Sequence, residues 1–514
     1  MKNSRTENVA KNAGVALITQ VVNIILSFIS RTAFIYILGV EYLGINGLFT
    51  NILMLLSFAE LGIGNAIIYS MYKPLAIDDK EKIKSLMKLY SKAYKLIGTF
   101  VFVAGLLVMP FIDYIVKDAP DIKENIILIY FLILANTSLS YLFVYKKSII
   151  TADQKNYIIL LYEQVFKIIQ TVAQIAILFI TKEFILFLVI QIVCTLLNNL
   201  LIAKKADEVY PFLKSRNVKP LEKKERKSIF TNVRSLFLYK FGSVVLNGTD
   251  NIIISASIGV AAVGMSSNYL LILSSLTAIS GQILNGFTAS VGNLNAIGNS
   301  DRKELVFNRI FFISAWMYGF FSIGLFMFLN QLITLWLGEA YVLSQGVVFA
   351  IVLHFYINSV HFTAYTYRIT MGLFVQGKFA PLAAAILNLI LSIALVKPFG
   401  LMGVFLATSI ARFFTTGIVD PVLVYRIGFN KHPIYYYSKY GLFTSIFIGL
   451  YFVLNFGIPL VNIGGVLGFV IEVGIFTILF NGILMLFFWK TKDFKEIRRI
   501  IKGIIKNRIV KNKL

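Results

Sequence analysis

Apolar residues in this chain fall in long runs separated by short polar stretches, unlike helices that bury a single face. A run of about 20 mainly apolar residues lets a helix cross roughly 30 Å of hydrocarbon. About fourteen such runs are present, near residues 12–38, 44–70, 93–116, 125–145, 158–181, 184–203, 232–256, 263–290, 307–330, 346–371, 379–396, 400–425, 436–457 and 464–489. The pattern predicts an all-α polytopic membrane protein.

Composition agrees, with 58% hydrophobic and only 14% charged residues among 514. Soluble domains carry about a quarter charged residues, so the deficit points to lipid as the solvent. A net charge of +24 raises the question of nucleic acid, but the basic residues sit between the apolar runs, not along one soluble face. If the N-terminus is cytoplasmic and loops alternate, about 38 of the 49 Lys and Arg fall inside. The outward loops hold Lys117, Lys123, Lys182 and Lys397. One miscounted span would scramble that bias, so both termini are expected inside. Cys194, the single cysteine, excludes an internal disulfide and a cysteine metal site. No metal or cofactor is expected. Residues 1–11 are polar and the next run is long enough to span, so no cleavable signal is expected.

Two inward stretches have the periodicity of interfacial helices, 494–510 clearly and 79–90 more weakly. The first sets isoleucines against Lys and Arg and would lie on the anionic inner leaflet.

A shift of 220 residues lays Leu38, Gly39, Val40 and Gly44 on Ile258, Gly259, Val260 and Gly264, and Asn12 on Asn232. Six spans separate the copies, so the halves have the same orientation, with an axis along the membrane normal. The expected organisation is a six-helix bundle over 1–203, a cytoplasmic linker over 204–231 and a second six-helix bundle over 232–425. Two further helices follow over 426–489, then a basic tail over 490–514.

Polar side chains inside the spans mark function, because a charge at bilayer depth costs at least about 2.5 kcal/mol. Span 1 carries Gln20, Asn23, Ser27, Ser30 and Arg31 on one face; span 7 carries Lys240, Ser243, Asn247 and Asp250. The 220-residue shift superposes the two stripes. Both would line one water-filled cleft, the alternative being plain helix–helix hydrogen bonding. Arg31 and Asp250 lie roughly 10 Å below the outer boundary at about 1.5 Å per residue. They would pair as an outer closure and Glu60 with Lys240 as an inner one, the alternative being fixed structural pairs. Span 10 adds His354, Asn358, His361, Tyr365 and Arg368, and span 12 adds Arg412 among threonines. Histidines seven apart on one helix are about 10 Å apart, too far to chelate one ion. Glu163 and Lys167 have the spacing of a self-neutralising pair.

The stretch Arg31-Thr32-Ala33-Phe34, Leu38-Gly39, Tyr42-Leu43-Gly44 and Ala59-Glu60-Leu61-Gly62-Ile63-Gly64 resembles the polysaccharide-transporter branch of the MATE-like (MOP) flippase superfamily. Asn247-Gly248-Thr249-Asp250 is similar to that family's seventh-helix signature. The resemblance implies a V-shaped pair of six-helix bundles with two extra C-terminal helices, working by alternating access. It implies as substrate a polyprenyl-diphosphate-linked oligosaccharide, flipped outward across the cytoplasmic membrane of a bacterium for capsule, exopolysaccharide or O-antigen assembly. A polysaccharide polymerase and glycosyltransferases are the partners it suggests. Related lipid II flippases hold the diphosphate with cavity arginines, a role that suits Arg31.

No phosphate-loop motif occurs, so the chain is not expected to be an enzyme that hydrolyses nucleotide. Moving a diphosphate through hydrocarbon requires cations and donors. Arg31, Lys240 and Arg412 are the expected cations, with Arg368 at the inner mouth. Gln20, Asn23, Asn247, His354, His361 and Tyr365 would meet sugar and phosphate, and Glu60 and Asp250 would gate or couple ions. Alternatives are a lipid II flippase, a cation-coupled multidrug exporter of the same superfamily, and a membrane glycosyltransferase or polymerase. The exporter requires acidic sites that this basic interior lacks, and the enzyme a larger outward loop.

Overall fold

A computed structural model describes residues 5–60, 63–116, 122–215, 218–297, 300–373, 375–457, 464–496 and 498–499, with some side chains inside these ranges left undescribed. Described residues form helices and turns without a strand. The first helices are α1 (Arg5–Leu38), α2 (Val40–Leu56), α3 (Ile63–Ala76), α4 (Lys80–Val108) and the short α5 (Ile112–Ile115). Then come α6 (Ile126–Ser140), α7 (Tyr145–Ala152), α8 (Asn156–Thr181), α9 (Phe184–Val209) and α10 (Lys223–Ser257). The later helices are α11 (Val260–Ile297), α12 (Ser300–Leu337), α13 (Gln345–Val360), α14 (Phe362–Thr370) and α15 (Ala380–Phe414). The last are α16 (Thr416–Leu423), α17 (Ile434–Gly457) and α18 (Gly465–Phe488).

Ten of the described helical segments are long and apolar enough to cross a membrane, or eleven with α6 and α7 taken as one span bent by 45°. The remaining expected runs also have their helices. The second, 44–70, is divided between the shorter α2 and α3, and α10 carries the seventh behind a charged inner end. The 49-residue segment Ala380–Gly428 holds two runs, divided at Gly400, where φ of 55° breaks the helix after Pro398. Ile180, Leu486 and Phe456 are 79, 80 and 85% exposed, a surface that only lipid tolerates.

The chain divides into two units by contact, one of Met1–Ser267 with Pro381–Val404 and the other of Asn268–Ala380 with Phe405–Leu514. In the first unit, α10 and the start of α15 join the N-terminal helices. Gly242 makes this possible, since a Cβ there would collide with the backbone of Pro381 and Leu382.

The repeat is visible inside this unit. Gly39 (φ 96°) separates α1 from α2 and Gly259 (φ 133°) separates α10 from α11, 220 positions later. Both need the left-handed region that glycine enters freely. Gly44 then lies against the carbonyl of Val260, and Gly264 against the carbonyl of Val40, so each helix start rests on the other's glycine. Small residues allow such close backbone approach in membranes.

The stretch 79–90 is not a separate interfacial helix. Asp79 caps α4, accepting from the Lys82 amide at 2.9 Å, and α4 then runs unbroken into its span. Its apolar face is taken by protein: Ile83, Leu86, Tyr90 and Tyr94 are buried in a core with Met71 and Ile149.

In the second unit α17 and α18 pack on α12 through aromatic rings. Phe443 stacks on Phe488 at 5.1 Å, Phe447 on Phe480 at 6.0 Å, and Phe320 on Phe476 at 5.2 Å. A Cβ at Gly319 would strike the Phe447 ring. The chain beyond α18 folds back so that Phe494 stacks on Trp316 at 5.9 Å and Arg498 covers Trp489 at 4.9 Å. Most of the expected amphipathic tail, 494–510, lies outside the described residues.

Candidate functional site

In the first unit, α1 keeps Gln20, Asn23 and Arg31 half-buried. The Arg31 guanidinium donates to the Ser267 hydroxyl at 2.7 Å, and that hydroxyl donates to the Gly264 carbonyl at 2.7 Å. Arg31 is thereby seated on the turn of α11 that carries the crossing glycine. The side chains of Lys240 and Asn247 lie outside the described residues.

Asp250, expected opposite Arg31, takes a hydrogen bond from α15. Asn388 on α15 donates to its carboxylate at 3.4 Å, and the Thr249 hydroxyl donates to the Asn388 amide oxygen at 3.5 Å. Asn388 and Ser392, one turn apart, are completely buried. The Ser392 hydroxyl has no hydrogen-bond partner among the described residues. A half-buried carboxylate beside an amide and an unused hydroxyl is a set of hard oxygen donors.

Glu60 accepts from the Tyr94 hydroxyl at 2.7 Å, and Tyr94 accepts from Tyr90 at 3.2 Å. Both tyrosines are buried, so Glu60 is turned toward the core of its own unit. The expected Glu163–Lys167 pair is replaced by Glu163–Lys147 at 2.8 Å, because α7 brings Lys147 alongside α8.

In the second unit the span 10 stripe is cut in two at His361, where α13 ends and α14 begins. On the α13 side, Arg412 of α15 donates to the Asn358 side chain at 2.8 Å. One turn away on α13 stands His354, whose Nδ1 is buried with no hydrogen-bond partner among the described residues. Asn358 is exposed and Arg412 half-buried, so this cation is reachable. Thr415 and Thr416 donate instead to the carbonyls of Ala411 and Arg412, satisfying the helix end at the α15–α16 break.

On the α14 side, Asp420 of α16 holds two of the expected site residues. Arg368 Nε lies 2.8 Å from one carboxylate oxygen and His361 Nε2 3.1 Å from the other. Arg368 and Asp420 are each 1% exposed. Arg368 is therefore not an open cation at an inner mouth, and His361 is committed to the same carboxylate. Tyr365 stays exposed, its ring 5.8 Å from the Arg368 guanidinium. The sequence reading missed Asp420. An acidic residue followed by Pro421 inside an apolar run was the available signal, and intramembrane charges seek partners of opposite sign.

No protein-family model matches the chain, and no curated protein sequence does. Solved structures do match. The lipid II flippase MurJ in an inward closed conformation aligns with a TM-score of 0.63 and 16% identity, covering 92% of this chain and 98% of that one. An inward-facing multidrug resistance MATE family transporter of the MOP superfamily aligns at 0.59 and 13% identity, covering 79% and 96%. The fold is the MATE-like one. A MOP superfamily transporter from Pyrococcus furiosus, described as having a binding pocket of reversed polarity, also shares it at 0.53 and 13% identity, over 82% of this chain and 95% of that one. Within the MATE-like fold the present chain places Arg31 against Ser267 and Arg412 against Asn358, and holds one buried Arg368–Asp420 pair.

Proposed function

We propose that the chain is a flippase that carries a polyprenyl-diphosphate-linked oligosaccharide from the inner to the outer face of the cytoplasmic membrane, by alternating access of its two repeated halves. The observation that carries the reading is Arg412, an intramembrane cation that donates to the Asn358 amide oxygen beside His354. A half-buried guanidinium there fits the geometry of a diphosphate oxygen. Arg31 on a serine hydroxyl has the same character. His354 and Asn358 beside Arg412 offer hydrogen bonds to sugar hydroxyls, as do Gln20 and Asn23 beside Arg31. Lys240 and Asn247 complete the substrate set by their position in the repeat. Arg368 and His361 are reassigned from substrate to the packing of α14 on α16. The cation-exporter alternative is weakened because Asp420, a carboxylate at bilayer depth, is already neutralised by Arg368.

Deleting the gene is expected to abolish a surface polysaccharide and to leave its lipid-linked repeat unit inside the cell, with plasmid-borne wild type restoring export. Unchanged polymer together with increased drug sensitivity would favour the exporter.

A further inference from the structure

The inner end of α4 carries Lys84, Lys88, Lys92 and Lys95 at steps of four, four and three, along one helix face. They open onto a cavity of about 340 Å³ whose wall is completed by Tyr145 and Leu213. Every segment around it belongs to the side that the charge bias places in the cytoplasm. Of the acidic residues nearby, Glu81 pairs with Lys84 at 2.5 Å and Asp207 with Lys146, both lysines in the lining, and Glu225 pairs with Lys82 outside it. Among the described residues Lys88, Lys92 and Lys95 form no ion pair, and all three are exposed.

Like charges three and four apart on a helix repel one another. Positive-inside topology asks only that lysines be on this side, and does not ask that they converge on a recess with an apolar wall. An anion of matching build relieves the repulsion: phosphate against the ammonium groups, and aliphatic carbon against Met87, Tyr145 and Leu213. We propose that this cavity binds the phosphate head group of an anionic inner-leaflet phospholipid, at a site distinct from the intramembrane arginines and independent of the transported substrate. Inner leaflets are anionic, and basic residues at headgroup depth gain from that potential.

The test is native mass spectrometry of the full chain in neutral detergent, titrated separately with phosphatidylglycerol, phosphatidylcholine and inorganic pyrophosphate. The triple variant Lys88→Ala/Lys92→Ala/Lys95→Ala is compared with Lys204→Ala/Lys378→Ala, exposed lysines on the same side but outside the cavity and the basic tail. Thermal unfolding of both confirms that each is folded. Wild type and the control are expected to retain phosphatidylglycerol over phosphatidylcholine, and the triple variant to lose at least about tenfold of that retention. Pyrophosphate retained in place of phosphatidylglycerol would assign the site to a soluble phosphate and overturn the lipid. Equal retention by the triple variant and the control would overturn the site itself.

Discussion

Gly44 and Gly264 make the same contact in opposite directions: each leaves room for the carbonyl at the start of the helix that bears the other. A Cβ on Gly44 would run into Val260, and one on Gly264 into Val40. Positions 220 apart in the sequence thus meet as a reciprocal pair in the first unit, binding the second helix of the first copy to the second helix of the next.

Substituting either glycine forces α2 and α11 apart. Gly44→Val and Gly264→Val are expected to lower stability by about 1–3 kcal/mol each, the usual cost of overpacking. Gly14→Val, where a Cβ meets nothing within 4 Å, is the matched control. Thermal unfolding in detergent reads the difference.

Removing one member of a buried ion pair strands the other. Arg368→Met or Asp420→Leu alone is expected to cost about 3–5 kcal/mol, whereas the double variant recovers most of that loss. His361 contacts only the second oxygen of Asp420, so His361→Gln should cost less than either. Equal unfolding temperatures for the single and double variants would show that the pair does not set the packing of α14 on α16.

Voltage should drive the direction of transport. Moving two negative charges outward from a negative interior releases about 2.3 kcal/mol per charge per 100 mV. Proteoliposomes given a potassium diffusion potential are expected to accumulate the glycan head on the positive side with no sodium or proton gradient. Accumulation that follows only an ion gradient would contradict this.

Asp250 is expected to govern the rate of switching. Asp250→Asn keeps the size of the group that meets Asn388 and removes its charge. Turnover should fall at least about fivefold, a coupling near 1 kcal/mol, while the voltage dependence of the end point is kept. Rates measured over a series of potentials separate the two.

Much of this was legible in the chain. Run length exposed the spans because lipid leaves no partially buried option, and the 220-residue shift exposed the glycine crossing because both copies keep Gly39–Val40–Gly44 spacing. Stripes of polar residues placed Arg31, His354 and Arg412 on helices facing polar neighbours. Partners were not legible. Helical periodicity gives the face of a residue but not the helix that arrives opposite, so Glu163 was matched with Lys167 when α7 delivers Lys147. Arg31 finds Ser267, a neutral residue that a survey of charges passes over. The break at His361 has no proline or glycine to announce it, and it turns Arg368 inward onto Asp420.

The central claim, that the intramembrane Arg31 and Arg412 carry a diphosphate, is tested most directly by reconstituted flipping of a polyprenyl-diphosphate-linked glycan by wild type, Arg31→Ala and Arg412→Ala. Each variant is expected to fold as wild type and to flip about thirtyfold more slowly or worse, the loss of a desolvated charged contact of about 2 kcal/mol. Wild-type flipping rates from both folded variants would contradict the account.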